Sequence, residues 1–248
     1  ASNNTAVGYQ ALIANTTASD NAAVGYNALA TNTTGSTNIA FGSLSLQLNT
    51  TGSNNTALGV RSLQANTTAS NSTAVGKDAL ISNTTGTQNT AIGMNSLKSV
   101  TTGSNNDGYG RDAGSDITTG SNNLCVGNLA GTSASQIILT THTDTIVVGN
   151  SSHTASYVKT DWTTGSDQRD KTDIQDISTG LSFVNQLKPK SFWFRKDRNS
   201  TEKSGNKKYG FLAQDILALE GSNPVIINNQ NEDSLGYQGS HLIPILVN

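Results

Sequence analysis

Apolar and polar positions recur every seventeen residues through the first half of the chain. The consensus reads roughly N-T-A-V-G-x-x-A-L-x-x-N-T-T-G-S-x, and eight units follow one another without insertion or deletion. The glycines that mark the period are Gly8, Gly25, Gly42, Gly59, Gly76, Gly93, Gly110 and Gly127. A fixed short period with β-branched residues and glycine punctuation predicts a β-solenoid or β-roll with one coil per repeat.

Within each unit the T-A-V-G segment predicts a strand, and the N-T-T-G/A-S segment predicts a turn. Stacked coils advance by about 4.8 Å, the strand spacing in a sheet, so eight coils predict a rod segment on the order of 40 Å long. We therefore expect a parallel β-repeat stalk over residues 1–130 of a mainly β protein.

Two adjacent columns of the repeat are apolar. One column begins at Ala6 and holds small residues, and its neighbour begins at Val7 and holds bulky ones. Adjacent strand residues point to opposite faces, so both faces of the strand are expected to be covered. The narrow coil interior takes one column, and sister chains around a shared axis would cover the other. The pattern thus predicts a homotrimer.

Several features of the repeats have structural explanations that we prefer. Cys125 lies in the alanine column and is expected to be a small buried core residue rather than a nucleophile. The recurring N-x-T/S sequons predict stacked turn residues rather than glycosylation sites; they begin at Asn15, Asn32, Asn49, Asn66 and Asn83. The paired threonines beside them are likewise interpreted as turn residues, not as an ice-binding plane. No calcium-binding GGxGxD repeat is present.

Composition and charge narrow the classes of function. Hydrophobic residues make up 34% of the chain and the net charge is −2, so we expect no nucleic-acid partner. A single cysteine excludes an intrachain disulfide framework, and we expect neither a metal nor another cofactor. No apolar run has the length of a transmembrane helix, which predicts no membrane insertion. The sequence starts inside a repeat, so we interpret it as a fragment of a longer protein.

The composition changes after the repeats. Residues 131–165 are predicted to form a short β-rich neck. Its strand-like runs are Gln136–Thr141, Thr145–Gly149 and Ala155–Trp162. Its isolated histidines, His142 and His153, are expected to be surface polar residues rather than metal ligands. Residues 166–248 are rich in charge and contain the first helix-like periodicity, at Gly180–Leu187 and Phe211–Leu219. We expect a small α+β domain there.

Four motifs in this last domain carry a specific resemblance. In order, they are Ser166–Ile174 (SDQRDKTDI), Leu181–Leu187 with the following KPKSFW, Gly210–Ile216 (GFLAQDI), and Tyr237 with Leu242–Val247 (LIPILV). Together they resemble the intramolecular chaperone domain of phage endosialidases and tail fibres, which is also the S74-type peptidase domain. The stalk pattern is similar to the head repeats of trimeric autotransporter adhesins.

The resemblance implies self-cleavage before the serine, at the Gly165–Ser166 bond. Ser166 would be the nucleophile and Lys171 its general base, acting as the neutral amine. The alternative from spacing alone is that Ser166 caps a helix and the neighbouring charges form a solvated face. The chain departs from the family at Asp170, where an apolar residue is usual, and it ends before the family's C-terminal trimerising helix.

The resemblance also implies a function. The chain would be a viral tail-fibre segment in the host-attachment apparatus, a homotrimer that binds a host surface receptor, for which a glycan is expected. Its fibre would be extracellular on the virion, while the chaperone domain would act in the cytoplasm of the infected host cell. Any enzymatic activity would be a single cleavage of its own chain. The alternative is a trimeric cell-surface adhesin stalk that binds host glycan or matrix and carries an inactive chaperone domain.

Overall fold

The structure is a computed structural model of the chain. It describes residues 1–135, 138–153, 168–177, 179–195, 200–222, 224–229 and 235–246, with the side chain of Asp170 left out. The chain divides into two compact units, Ala1–His153 and Thr154–Asn248, and each is described by itself.

The first unit is built on a nine-stranded parallel sheet whose strands follow chain order. The strands are β1 (Thr5–Val7), β2 (Ala22–Val24), β3 (Ile39–Phe41), β4 (Thr56–Leu58), β5 (Thr73–Val75), β6 (Thr90–Ile92), β7 (Asp107–Tyr109), β8 (Leu124–Val126) and β9 (Ile146–Val148). Strands β1–β8 coincide with the T-A-V positions of the repeat, so the sequence prediction of a mainly β chain with a parallel solenoid of seventeen-residue coils is confirmed.

The last strand departs from the regular period. Residues pair at a spacing of seventeen up to β8, whereas Leu124 pairs with Ile146, twenty-two residues away. The five extra residues lie between Gly131 and Leu139, where the chain forms a short 3₁₀ turn at Ser133–Ser135. The predicted Thr145–Gly149 run is confirmed as β9, so part of the segment expected as a neck continues the sheet. Of the predicted Gln136–Thr141 run, the described residues 138–141 do not form a strand, so the prediction is wrong there; the Ala155–Trp162 run lies outside the described residues.

The coil interior is narrow and holds only a few small or medium-sized apolar side chains per turn. The alanine column points inward and is buried from β2 onward, and the leucine column fills the space beside it. Those leucines are Leu12, Leu29, Leu46, Leu63, Leu80 and Leu97. No single coil encloses a core of its own, so burial arises only when coils stack.

The buried leucines have an unusual backbone conformation. Leu46 and Leu97 have φ of 48° and 50°, a region that costs energy for any residue with a Cβ atom. The same column continues as Gly114 and Gly131, with φ of 61° and 72°. The coil path therefore requires a left-handed residue here, and leucine adopts it because its side chain fills the core.

The period-marking glycines meet a stricter requirement. Gly59 has φ of 140°, and a Cβ atom added there would lie 2.5 Å from the carbonyl oxygen of Gly76 in the next coil. Backbone of one coil thus approaches backbone of the next too closely for any side chain.

Ladders of polar side chains connect successive coils. The buried asparagines of the sequons donate from one coil to the preceding one; Asn66 Nδ2 lies 2.7 Å from Asn49 Oδ1 and 3.0 Å from the Ala69 carbonyl. A second asparagine column binds backbone, with the Asn55 N–H donating to Asn38 Oδ1 at 3.0 Å. The predicted stacking of the sequon asparagines is confirmed, and burial of four of the five excludes a glycan on those amides in this fold.

Cys125 lies in the alanine column and is fully buried, as the sequence predicts. Its Sγ atom lies close to Gly131 and Gly114, whose missing side chains make room for it. Burial raises the pKa of the Cys125 thiol from 9.0 to about 11, because the thiolate would lose its hydration.

The second unit mixes short helices and strands. Its elements are α1 (Leu181–Val184), β10 (Lys190–Arg195), β11 (Lys203–Gly210), α2 (Ala213–Glu220), β12 (Ile227–Asn228), β13 (Gly236–Tyr237) and α3 (Leu242–Leu246). β10 and β11 form an antiparallel hairpin, and β12 pairs antiparallel with β13. The two helical patterns predicted from the sequence are confirmed as α1 and α2.

A small core holds this unit together. Its buried side chains are Phe183, Ile216, Ile226, Ile227 and Leu242, from α1, α2, α3 and the segment around β12. The Glu220 carboxylate at the end of α2 accepts hydrogen bonds from the main-chain N–H groups of Val225, Ile226 and Ile227 at 2.6–3.0 Å, which fixes the turn into β12. Among the described residues, no helix has the length and hydropathy needed to cross a membrane.

The asparagine ladder predicts a stability difference between two equivalent amide pairs. Asn66→Ala should lower the free energy of unfolding by about 2–3 kcal/mol, because it leaves the buried oxygen of Asn49 without its donor. Gln64→Ala removes a similar bond to Gln47, 2.9 Å long and partly exposed, where water can substitute. Its cost should stay below about 1 kcal/mol in the same urea titration. Equal losses in the two variants would contradict the buried ladder.

Cys125 predicts a loss of stability at alkaline pH. Its folded-state pKa is raised, so its contribution is complete below pH 9.0 and declines as the pH rises towards about 11. Between pH 8 and pH 10, the free energy of unfolding of the wild type should fall by about 1 kcal/mol more than that of Cys125→Ala. The variant is a matched control because alanine is the usual residue of this column. Parallel curves for the two proteins would contradict the burial of the thiol.

Candidate self-cleavage segment and assembly surfaces

The described residues contain one member of the predicted dyad. Lys171 follows a single 3₁₀ turn at Gln168–Asp170, and its main-chain N–H donates to the Gln168 carbonyl at 3.1 Å. Its side chain is exposed in the single chain. Gly165 and Ser166 lie outside the described residues, so the pairing of Ser166 with Lys171 stays a prediction.

The segment that carries Lys171 is uncovered along its length. Residues 171–177 are all exposed, and they include Asp173 and Asp176 as well as the apolar side chains of Ile174 and Ile177. Asp173 has a left-handed φ of 52°, and its Oδ1 accepts a hydrogen bond from Gln175 Nε2 at 3.1 Å. Exposed isoleucines beside exposed aspartates are typical of an interaction surface.

The β10–β11 hairpin is the second uncovered part of this unit. Along both strands only Phe192, Ser204 and Gly210 are partly buried, and the other residues are exposed. Phe192 and Phe194 contact each other edge to face, with ring centroids 5.4 Å apart, where the pairing register shifts. Two-stranded hairpins with no layer packed on them are marginal in water, so a partner surface would stabilise this one.

Positive charge is concentrated on the same hairpin. Lys203 and Lys207 approach the ring of Trp193, with Nζ atoms 4.1 and 5.4 Å from its centroid. This attraction to one indole holds two like charges close together. The remaining exposed cations of the two strands are Lys190, Arg195 and Lys208. The sequence analysis did not single out this cluster, although eight lysines and arginines within residues 188–210 were available as a signal.

The outer surface of the first unit carries the bulky apolar column. Its members alternate with the buried alanines and point outward; Leu58 and Ile92 are each 42% exposed, and Val148 is 72% exposed. Flanking positions add Tyr9 and Tyr26, whose rings stack 5.5 Å apart. The predicted one-in, one-out arrangement is thus confirmed for the single chain, and a row of apolar side chains follows the whole sheet.

Comparison with known proteins gives one match. The family model for the chaperone of endosialidase (Peptidase_S74) matches residues 166–221, which is less than a quarter of the chain. The match starts at Ser166, includes Lys171 and spans three of the four motifs. Neither the curated proteins nor the solved structures provide a match. A parallel β-solenoid followed by a segment that matches this family model fits a tail-fibre-like protein with an intramolecular chaperone.

Proposed function

We propose that this chain is the distal segment of a phage tail fibre whose C-terminal domain directs trimerisation and then releases itself by cleaving the Gly165–Ser166 bond. The observation that carries the proposal is the position of the family match. It begins at Ser166, the residue that cleavage would expose as a new N-terminus, while the solenoid lies upstream. The fibre would belong to the host-attachment apparatus of the virion and bind a surface glycan.

The proposed cleavage needs only the two side chains and water. Lys171, as the neutral amine, takes the proton of the Ser166 hydroxyl, and Oγ attacks the carbonyl carbon of Gly165. Collapse of the tetrahedral intermediate breaks the C–N bond, and the lysine returns its proton to the departing nitrogen. Water then hydrolyses the resulting ester to leave a carboxylate on Gly165 and a free α-amine on Ser166. Glycine before the scissile bond allows the backbone to reach the attack geometry.

The outward apolar column supports the homotrimer. A continuous row that includes Leu58, Ile92 and Tyr109 would face water in an isolated stalk, and a patch of this kind on a soluble protein marks an interaction surface. Two further copies of the chain offer the same row in the same register, so a closed trimer would bury all three rows together. The chaperone domain would bring the three chains together before the stalk winds.

Release of the chaperone would make the assembled fibre persist. After cleavage the stalk cannot unwind by the path that formed it, because the domain that aligned the chains has left. The fibre is then kinetically trapped, and its lifetime depends on the unfolding barrier rather than on the free energy alone.

The dyad predicts a simple pattern of chain sizes. The wild-type chain should appear as two fragments on a denaturing gel, with a new N-terminus at Ser166, whereas Ser166→Ala and Lys171→Ala should each stay intact. Lys77→Ala serves as a control because it removes an exposed lysine of the first unit. An intact wild type, or cleavage of either dyad variant at the wild-type rate, would contradict self-cleavage.

The trimer predicts that charge on the outer column prevents assembly. Leu58→Asp with Ile92→Asp places two buried carboxylates in each proposed interface, and the protein should sediment as a monomer in analytical ultracentrifugation. Thr51→Asp with Thr85→Asp adds the same charge at exposed turn positions and should leave a trimer. A monomeric wild type, or a trimer in both variants, would contradict the assigned interface.

A further inference from the structure

The second unit separates its charges into two regions. Residues 188–210 hold eight Lys/Arg and two Asp/Glu, a net charge of +6. The rest of that unit, residues 154–187 and 211–248, holds three Lys/Arg and nine Asp/Glu, a net charge of −6. The overall charge of −2 conceals this separation, which is why composition alone does not reveal it.

In the part of the second unit that the structure describes, no ion pair joins the two regions. Among the described residues, the ion pairs lie in the first unit, at Arg61–Asp78, Lys77–Asp78 and Arg111–Asp112. The hairpin cations Lys190 and Lys208 are exposed, as are Asp173 and Asp176 on the segment that carries Lys171. Opposite charges that are exposed and separate in one copy remain available to a second copy.

The apolar side chains of the two regions also match. The hairpin exposes Trp193, Phe194 and Tyr209 beside its lysines, and the segment exposes Ile174 and Ile177 beside its aspartates. An interface that is stable in water needs apolar contact at its centre and charge complementarity at its rim. The hairpin supplies aromatic side chains and positive charge, and the segment supplies isoleucines and negative charge.

We propose that the β10–β11 hairpin of one copy docks on residues 171–177 of a neighbouring copy, and that this contact activates self-cleavage. The inference rests on the proposed function. Hairpin lysines would pair with Asp173 and Asp176 and so neutralise two negative charges on the segment that carries Lys171. They would also bring positive charge towards Lys171 and cover it from water, and both effects favour the neutral amine that the reaction requires. Cleavage would therefore follow assembly.

Charge reversal tests the contact. Lys190→Glu with Lys208→Glu reverses two of the five positive charges on the strands of the hairpin and leaves Lys203 and Lys207 on Trp193. Asp173→Lys with Asp176→Lys reverses the segment. Each pair alone should slow cleavage by about tenfold or more, and a chain with all four changes should recover to within about threefold of wild type. Lys77→Glu with Lys98→Glu makes the same charge change on the first unit and should cleave as wild type. Failure of the four-fold variant to recover would overturn the pairing.

Crosslinking tests that the contact joins different copies. In a Cys125→Ala background, chains with Lys208→Cys and chains with Asp176→Cys carry different tags and are co-expressed as Ser166→Ala, so that no chain is cut. Mild oxidation should join the two tagged chains, while Lys208→Cys with Thr51→Cys should give no product. No crosslink above that control overturns the proposal.

The two tests separate this inference from the proposed function. A crosslink in the uncut chains, with a wild type that is never cleaved, would support the docking and remove self-cleavage. A wild type and a hairpin-reversed chain that are cleaved at equal rates would support self-cleavage and remove the docking.

Discussion

Hydrogen bonds that run from each coil to the next constrain the whole stalk. A seventeen-residue coil encloses little more than one alanine and one leucine, which is too little apolar area to offset the ordering of its backbone. The interior also holds asparagines, and a buried amide is tolerated only when its donors and acceptors are satisfied. Asn49 meets this condition through Asn32 and Asn66, one coil away on either side. The spacing therefore cannot drift. The second asparagine column continues across the twenty-two-residue coil, because Asn123 Oδ1 still accepts a hydrogen bond from the N–H of Thr145.

The backbone conformation of the coil, more than any side chain, determines which residue types fit each column of the repeat. Where the leucine column becomes Gly114, the left-handed conformation remains, with φ of 61°, but it no longer costs energy, and a large side chain is lost from the core. Leu97, Ile117 and Cys125 lie around the freed space. Ile117 does so from a column that is asparagine in the earlier coils, so the last coils fill the same backbone geometry with a different set of core residues.

Sequence reasoning identified the features that depend on period and alternation. The strands, the inward alanines, the outward bulky column and the burial of Cys125 all follow from adjacent positions in a repeat. It did not identify the left-handed leucines, since leucine is a poor indicator of positive φ and only Gly114 and Gly131 in that column suggest it. The sequence predicts β9 as part of a neck because its spacing of twenty-two breaks the period, although Gly149 still aligns with Gly127. For the dyad, Lys171 is placed but Ser166 lies outside the described residues, so their pairing depends on the family resemblance.

Because successive repeats of the stalk are similar, they specify poorly which coil of one chain aligns with which coil of another. Of nine positions in the outward column, only Phe41 and Tyr109 are aromatic, and they lie four coils apart. In the proposed trimer, sliding one chain by one coil would exchange similar aliphatic side chains and lose about one coil of contact, on the order of 2 kcal/mol per chain. That penalty is too small to exclude slipped fibres during assembly. A non-repetitive domain with segregated charge has one favourable mutual orientation, so it can set the alignment before the stalk winds. Cleavage that waits for this orientation would then release only chains that are already in register.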